Sequence, residues 1–206
     1  GKSTLMRILV TLMRPTEGNI LVGGIDTAID PIRAKALMGF IPDHPFLYEK
    51  LTGEEFLRFI GGLYKIDDQQ LKGRVDELFE LFSLQDFRDE LIESYSHGMR
   101  QRLVMGSAFL HHPQVVIVDE PMVGLDPQSA RTLKDLLKKK SKENNMSVFL
   151  STHTLSVAQE VADRIGVINR GQLIFMGSLD EMRENVGSLG SLEEMFLEMT
   201  GFPTEQ

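Results

Sequence analysis

Val115-Val116-Ile117-Val118-Asp119-Glu120-Pro121 decides the fold, and Gly124-Leu125-Asp126-Pro127 follows it at once. Four consecutive apolar residues, three of them valine, predict a short strand buried on both faces, as in a parallel sheet. Two carboxylates stand where that strand ends. Ligands of open parallel sheets bind just beyond the carboxyl ends of the strands. A carboxylate there can hold Mg²⁺, and its neighbour can position or polarise a water. Taken alone, the stretch reads equally well as a core strand that ends in a solvated acidic turn.

The opening residues break that tie. Gly1-Lys2-Ser3-Thr4 matches the second half of a phosphate-binding loop, G-x-x-x-x-G-K-[ST]. The lysine of such a loop reaches β- and γ-phosphates, and the hydroxyl after it coordinates Mg²⁺. The helix that begins there turns its free N–H groups and positive dipole end toward the anion. Four residues match by chance often; paired with a hydrophobic strand ending in Asp-Glu, they mark a nucleotide site. The sequence starts inside this motif and without Met. The first half of the loop and the strand that delivers it are therefore expected to precede Gly1, as a missing N-terminal part.

With 206 residues, the chain can bury one domain, with room for a subdomain. A hydrophobic content of 42% against 25% charged residues fits a folded chain. The net charge of −8 argues against a phosphate backbone as the main partner, so no nucleic acid is expected. Without cysteine there is neither a disulfide nor a thiolate metal site. No apolar run approaches the ~18 residues of a membrane span, and no signal-peptide pattern opens the sequence. A membrane role is then expected to come through a partner.

Apolar positions Leu5, Ile8, Leu9 and Leu12 predict a helix over 3–13, ended by Pro15. Residues 19–24 predict a short strand with a turn, and 37–41 a second strand stopped by Pro42. Two amphipathic helices are expected near 53–64 and 69–82, with Phe56, Phe59, Leu63, Val75, Leu78, Phe79 and Phe82 on their inner faces. No strand signal interrupts 52–85, which suggests a helical lobe inserted in an α/β domain. Beyond it, strands and helices alternate at 115–118, 127–143, 147–151, 154–162, 165–168 and 173–176, the βαβ pattern. Lys138-Lys139-Lys140 reads as a solvated helix face.

Tyr95-Ser96-His97-Gly98-Met99 precedes a helix-like run that Pro113 follows. Ser is a good N-cap and Gly allows close backbone approach, so a plain helix cap accounts for the pair when read alone. Ser151-Thr152-His153 closes the strand at 147–151, at the edge expected to carry Asp119 and Glu120.

In order, these segments resemble the nucleotide-binding domain of ATP-binding-cassette proteins, and the resemblance covers essentially the whole chain. Residues 1–4 look like the end of the phosphate loop, and 95–99 like a variant of the signature LSGGQ, here YSHGM. Residues 115–120 look like the acidic strand with its catalytic glutamate. Residues 124–127 resemble the following D-loop, and His153 the switch histidine. The resemblance implies a P-loop NTPase core, an α/β fold with a mostly parallel sheet plus an inserted α-helical subdomain. It implies one nucleotide-binding domain over 1–206, with a helical subdomain carrying the signature over 52–112. Residues 113–206 would return to the α/β core and end in a helical tail.

The resemblance implies that the chain is an ATPase using ATP and Mg²⁺. Gly1, Lys2, Ser3 and Thr4 would cradle phosphate, and Ser3 and Asp119 would hold the metal. Glu120 would polarise the attacking water, and His153 would contact the γ-phosphate. Ser96 and Gly98 would cap ATP held by a second cassette, identical or different (homo- or heterodimer), paired head to tail, with Asp126 along the seam. Two departures stand out. Asp43, in Phe40-Ile41-Pro42-Asp43, occupies the place of a glutamine that touches Mg²⁺; a carboxylate can reach the metal but cannot donate amide bonds. The signature has His97 and Met99 where the family has Gly and Gln. Residues 46–56 look like the region that docks a transmembrane permease, and the tail 187–201 resembles that of cassettes driving bacterial drug or polymer exporters. The implied protein powers export from the cytoplasmic face of the membrane, as a peripheral subunit. Two alternatives remain: a soluble cassette acting on ribosome or nucleic acid, and a weakly hydrolysing regulatory cassette.

Overall fold

In the computed structural model, residues 1–44, 46–120, 125–144, 146–186 and 191–201 are described. The chain forms α1 (Lys2–Leu9), β1 (Leu21–Val22), β2 (Ile25–Asp26), α2 (Pro31–Ala36), β3 (Met38–Ile41), α3 (Gly53–Leu63) and α4 (Asp68–Leu81). Two 3₁₀ turns, Gln85–Phe87 and Ile92–Ser94, lead into α5 (His97–Phe109) and β4 (Val115–Asp119). Then follow α6 (Pro127–Asn144), β5 (Ser147–Ser151), α7 (Leu155–Val161), β6 (Ile165–Asn169), β7 (Gln172–Gly177), α8 (Leu179–Val186) and α9 (Leu192–Thr200). The chain divides into two compact units, 7–150 and a smaller one of 1–6 with 151–206.

In the larger unit the valine run is a strand buried through Val116, Ile117 and Val118, as a both-faces-covered strand must be. It sits at the centre of a three-stranded sheet ordered β3-β4-β5. β3 runs parallel to β4, with Met38 opposite Val115 and Ile41 opposite Val118. The carboxyl ends of the two strands therefore coincide, and Asp43 lies just past the same edge as Asp119 and Glu120. This is the mixed helix-and-parallel-strand architecture of a P-loop NTPase core. Helix α5 packs on β3 where Gly39 has no side chain: a Cβ there would overlap the Ala108 carbonyl oxygen.

The lobe helices start where their caps dictate. Thr52 and Glu55 make a reciprocal capping box at α3, and the Asp67 carboxylate accepts from Gln69 N–H at α4. Phe56, Leu57, Leu71, Val75, Phe79, Phe82, Leu84, Ile92 and Leu103 join one core with the sheet. The Tyr95 hydroxyl donates to the Phe87 carbonyl at 2.6 Å, and burial pushes its pKa up to about 12. A Cβ at Gly53 would strike that hydroxyl and the Phe79 ring, so α3 can begin there only with glycine.

Two sequence expectations are corrected. The first helix ends at Leu9 rather than Met13. β-Branched Val10 and Thr11 are weak helix formers, Thr11 turns to φ 60°, and Leu12 and Met13 N–H groups both fold back on the Arg7 carbonyl. Phe59 and Leu63 are not inner residues, being 43% and 64% exposed. The buried stripe of α3 is Phe56, Leu57 and Gly61, which leaves Phe59 on the outside against the Tyr48 ring at 5.4 Å. The strand and turn expected over 19–24 are present as β1 and Gly23-Gly24, and β1 pairs with β2 in a two-stranded hairpin.

In the smaller unit the strand alternation ends in an antiparallel hairpin, β6 with β7, turned by Arg170 and Gly171 at positive φ. A βαβ crossover is therefore absent between these two strands. Val167 packs there with Met182 of α8 and with Leu192 and Met195 of α9. Ser191 and Glu194 cap α9 reciprocally and Gly201 ends it in the left-handed conformation, so the helix has both stop signals. Among the described residues, no helix is long and apolar enough to cross a membrane.

Candidate nucleotide site

The smaller unit places Gly1, Lys2, Ser3 and Thr4 at the exposed first turn of α1. The first intrahelical bond runs from Leu5 N–H to the Gly1 carbonyl, so the N–H groups of residues 2–4 have no partner inside the helix. An ammonium, two hydroxyls and these N–H groups form a donor set suited to a polyphosphate. Lys2 Nζ donates to the Thr152 carbonyl at 3.2 Å. The lysine and the residue beside His153 are thereby brought together, which nothing in the linear sequence signals. His153 itself is exposed, and the adjacent Thr154 N–H donates to Thr152 Oγ1.

The larger unit places Asp119 as the last residue of β4 and Glu120 immediately after it. Both are half-buried. Glu120 has φ 47°, a left-handed conformation that costs a non-glycine residue about 1–2 kcal/mol. Asp43 is exposed beyond β3 and accepts from His44 N–H at 2.8 Å, while its other oxygen meets His44 Nδ1 at 2.8 Å. Gln101, in the first turns of α5, donates Nε2–H to the Asp43 carbonyl at 3.2 Å. Sequence reasoning did not find this contact; its only visible cue is a buried amide two residues past the signature.

Ser96 is the N-cap of α5 and its Oγ accepts from Met99 N–H at 3.3 Å, so the helix-cap reading holds in full. Its hydroxyl proton remains available to another acceptor. A Cβ built on Gly98 would meet nothing within 4 Å among the described residues. Packing among those residues gives no reason for glycine there. Asp126 opens α6: its carboxylate accepts from Gln128 N–H, Ser129 N–H and Ser129 Oγ. The Ser129 hydroxyl foremost holds its pKa below the ordinary carboxylate value. Arg102 Nη1 of α5 donates to the same Ser129 Oγ at 3.1 Å and lies 3.6 Å from Asp126. The helix α5 and the start of α6 are thus joined through a serine that the sequence did not single out. Gly124 lies outside the described residues.

Among the described residues, no group of three or more His, Cys, Asp or Glu side chains converges as a metal cage. Mg²⁺ is ordinarily bound through one or two carboxylates plus phosphate oxygens and waters. In the larger unit the hard oxygens of Asp119 and Asp43 fit that partial role, and in the smaller unit the Ser3 hydroxyl is of the same donor type.

A phosphate-type lysine and hydroxyls on a helix start, with two carboxylates ending a central parallel strand, define a P-loop nucleotide-binding protein. The ABC transporter family model matches residues 1–123. NatA of Bacillus subtilis (strain 168), an ABC transporter ATP-binding protein, is 30% identical over 186 residues, 90% of this chain and 75% of NatA. The daunorubicin resistance ATP-binding protein DrrA3 of Streptomyces coeruleorubidus is 35% identical over 187 residues, 91% of this chain and 59% of its own. A solved ATP-binding subunit of an ABC transporter superposes with a TM-score of 0.91 at 32% identity, covering 97% of this chain and 83% of that one. The dimeric ATP-binding cassette MJ0796, in a post-hydrolysis state with ADP and Pi, gives 0.78 at 25% identity, over 87% and 81%. The chain belongs to the ABC transporter family, as one of its ATP-binding subunits, and these are ATPases.

Proposed function

We propose that this chain binds ATP with Mg²⁺, hydrolyses it, and powers export through a separate membrane permease by pairing head to tail with a second cassette. The observation that carries the reading is the end of β4. Two carboxylates stand at the open edge of a parallel sheet, and the second is held in a backbone conformation that a glutamate does not favour. Strain of this kind is kept where a side chain must be aimed. In this reading Lys2 would hold the β/γ-phosphates with Gly1 and Thr4, and Ser3, Asp119 and Asp43 would be the residues that hold the metal. Mg²⁺ supplies charge neutralisation at the phosphate oxygens. Glu120 accepts hydrogen from the attacking water, and His153 donates to the γ-phosphate.

Ser96 and Gly98 meet the nucleotide of the other cassette. The open space at Gly98 and the exposed Ser96 hydroxyl support that role, because a phosphate approaching the start of α5 needs both. Asp126 lies along the seam. The domain reading keeps 52–112 as the helical lobe that carries the signature. Docking of a permease is supported by an exposed aromatic cluster: Phe46 is 81% exposed, and its ring meets Tyr48 at 6.2 Å, which in turn meets Phe59. Contiguous exposed aromatics mark interaction surfaces. In this reading the protein sits peripherally at the cytoplasmic face of the membrane, beside its permease.

Purification of the Glu120→Gln protein from its native membranes in ATP tests the reading. A multi-span hydrophobic protein in stoichiometric amount is expected. Ribosomal or nucleic-acid partners in its place would overturn the transport reading.

A further inference from the structure

Gln101 is 1% exposed, yet it is an amide in a core otherwise built of Leu103, Met105, Ile41 and their neighbours. Its Nε2–H donates to the Asp43 carbonyl, while its Oε1 is buried without a hydrogen-bond partner among the described residues. A buried, unsatisfied oxygen costs stability, so the amide is not what the core would choose. The residue before it makes the matching contact at the surface. Arg100 Nη1 donates to Glu49 Oε1 at 2.7 Å, and its other nitrogens are fixed by the Glu93 carbonyl at 3.0 Å and the Tyr95 carbonyl at 3.2 Å. Consecutive residues of α5 therefore hold Asp43 and Glu49, which bracket the stretch carrying Phe46 and Tyr48.

We propose that Gln101 and Arg100 are positioning residues that clasp the 43–49 stretch to the first turns of the signature helix. Through the clasp, the Asp43 carboxylate, the exposed aromatics and the Ser96–Gly98 turn keep one register. Gln101 acts through the Asp43 backbone and touches no substrate. Its effect on metal use rests on the reading of Asp43 as a group that approaches Mg²⁺; its effect on the stretch itself does not.

The test uses the complete protein with Gln101→Leu, Glu49→Gln and Asp43→Asn. Gln101→Leu removes the orphaned oxygen, so it melts at or above the wild-type temperature. Amide hydrogen exchange in a 43–49 peptide nonetheless speeds up by about three- to tenfold, the size of one lost hydrogen bond. The Mg²⁺ concentration for half-maximal ATPase rises by a comparable factor, while kcat at saturating Mg²⁺ falls less. Glu49→Gln, at the exposed anchor, moves exchange in the same direction. Should Gln101→Leu misfold, Gln101→Glu keeps the shape; its carboxylic acid regains a donor as pH falls, and exchange then returns toward wild type. Wild-type exchange in Gln101→Leu would overturn the clasp, whereas faster exchange with unchanged Mg²⁺ dependence would uphold the clasp and refute the metal reading of Asp43. A raised Mg²⁺ requirement in Gln101→Leu with none in Asp43→Asn would uphold the clasp and refute the metal reading of Asp43.

Discussion

At Glu120 the backbone has φ 47°, where a Cβ crowds the following carbonyl. Asn tolerates this region and Val does not. Glu120→Asn is therefore expected to melt close to wild type, and Glu120→Val lower by about 1–3 kcal/mol in a denaturant titration. Asp126 offers a second residue-scale check. Its carboxyl is held below the ordinary value by Ser129, so its contribution to α6 is present above that value. It is lost as pH falls through the lower, folded pKa. Asp126→Ala should lower the melting temperature at neutral pH, and the gap from wild type should close in strong acid. The placement of single residues was legible early: Lys2 and Ser3 stand at a helix start, and Asp119 and Glu120 at a strand end. Contacts such as Lys2 to the Thr152 carbonyl were not, since no local pattern joins residues 150 positions apart.

Elements separate packing glycines from open ones. Gly39→Ala would push β3 off the Ala108 carbonyl of α5. It is expected to cost about 1–3 kcal/mol, read as a lower melting temperature. Gly98→Ala meets no atom, and alanine favours a helix by about 0.5–1 kcal/mol, so its melting temperature should hold or rise. ATP-driven dimerisation, measured by sedimentation, should nonetheless be impaired. Equal dimerisation in the two glycine states would remove the support that Gly98 lends to the capping role. The faces of elements were harder to read than their existence. Apolar residues at 56, 57, 59, 60 and 63 permit two stripes on α3, and only the tertiary partners choose between them. Phe59 then falls outward, beside Tyr48, where an interaction surface rather than a core explains it.

Across the whole molecule, the lobe is fastened to the sheet beneath α5. The His111 ring stacks on Tyr64 at 3.7 Å, its Nε2–H donates to the Met38 carbonyl at 3.0 Å, and Arg74 donates to the Leu110 carbonyl at 3.0 Å. Burial pushes the pKa of His111 down to about 4, against an ordinary 6.5. The unfolded chain thus binds the extra proton first, and stability falls as pH drops from about 6.5 toward 4. His111→Gln should flatten that part of the melting-temperature profile. The parallel core could be anticipated from the valine run and the strand-helix alternation. The hairpin of β6 and β7 is implied by spacing alone, because the few residues between the two expected strands are too few for a βαβ crossover.

The central claim is that Glu120 drives hydrolysis of ATP held by this chain. Phosphate release and bound nucleotide should be measured together in the complete wild-type protein and in Glu120→Gln. The account predicts turnover in the wild type, and in the variant retained ATP with release slower by about 10²–10⁴-fold, the range of a lost general base. Brisk phosphate release from Glu120→Gln would contradict it.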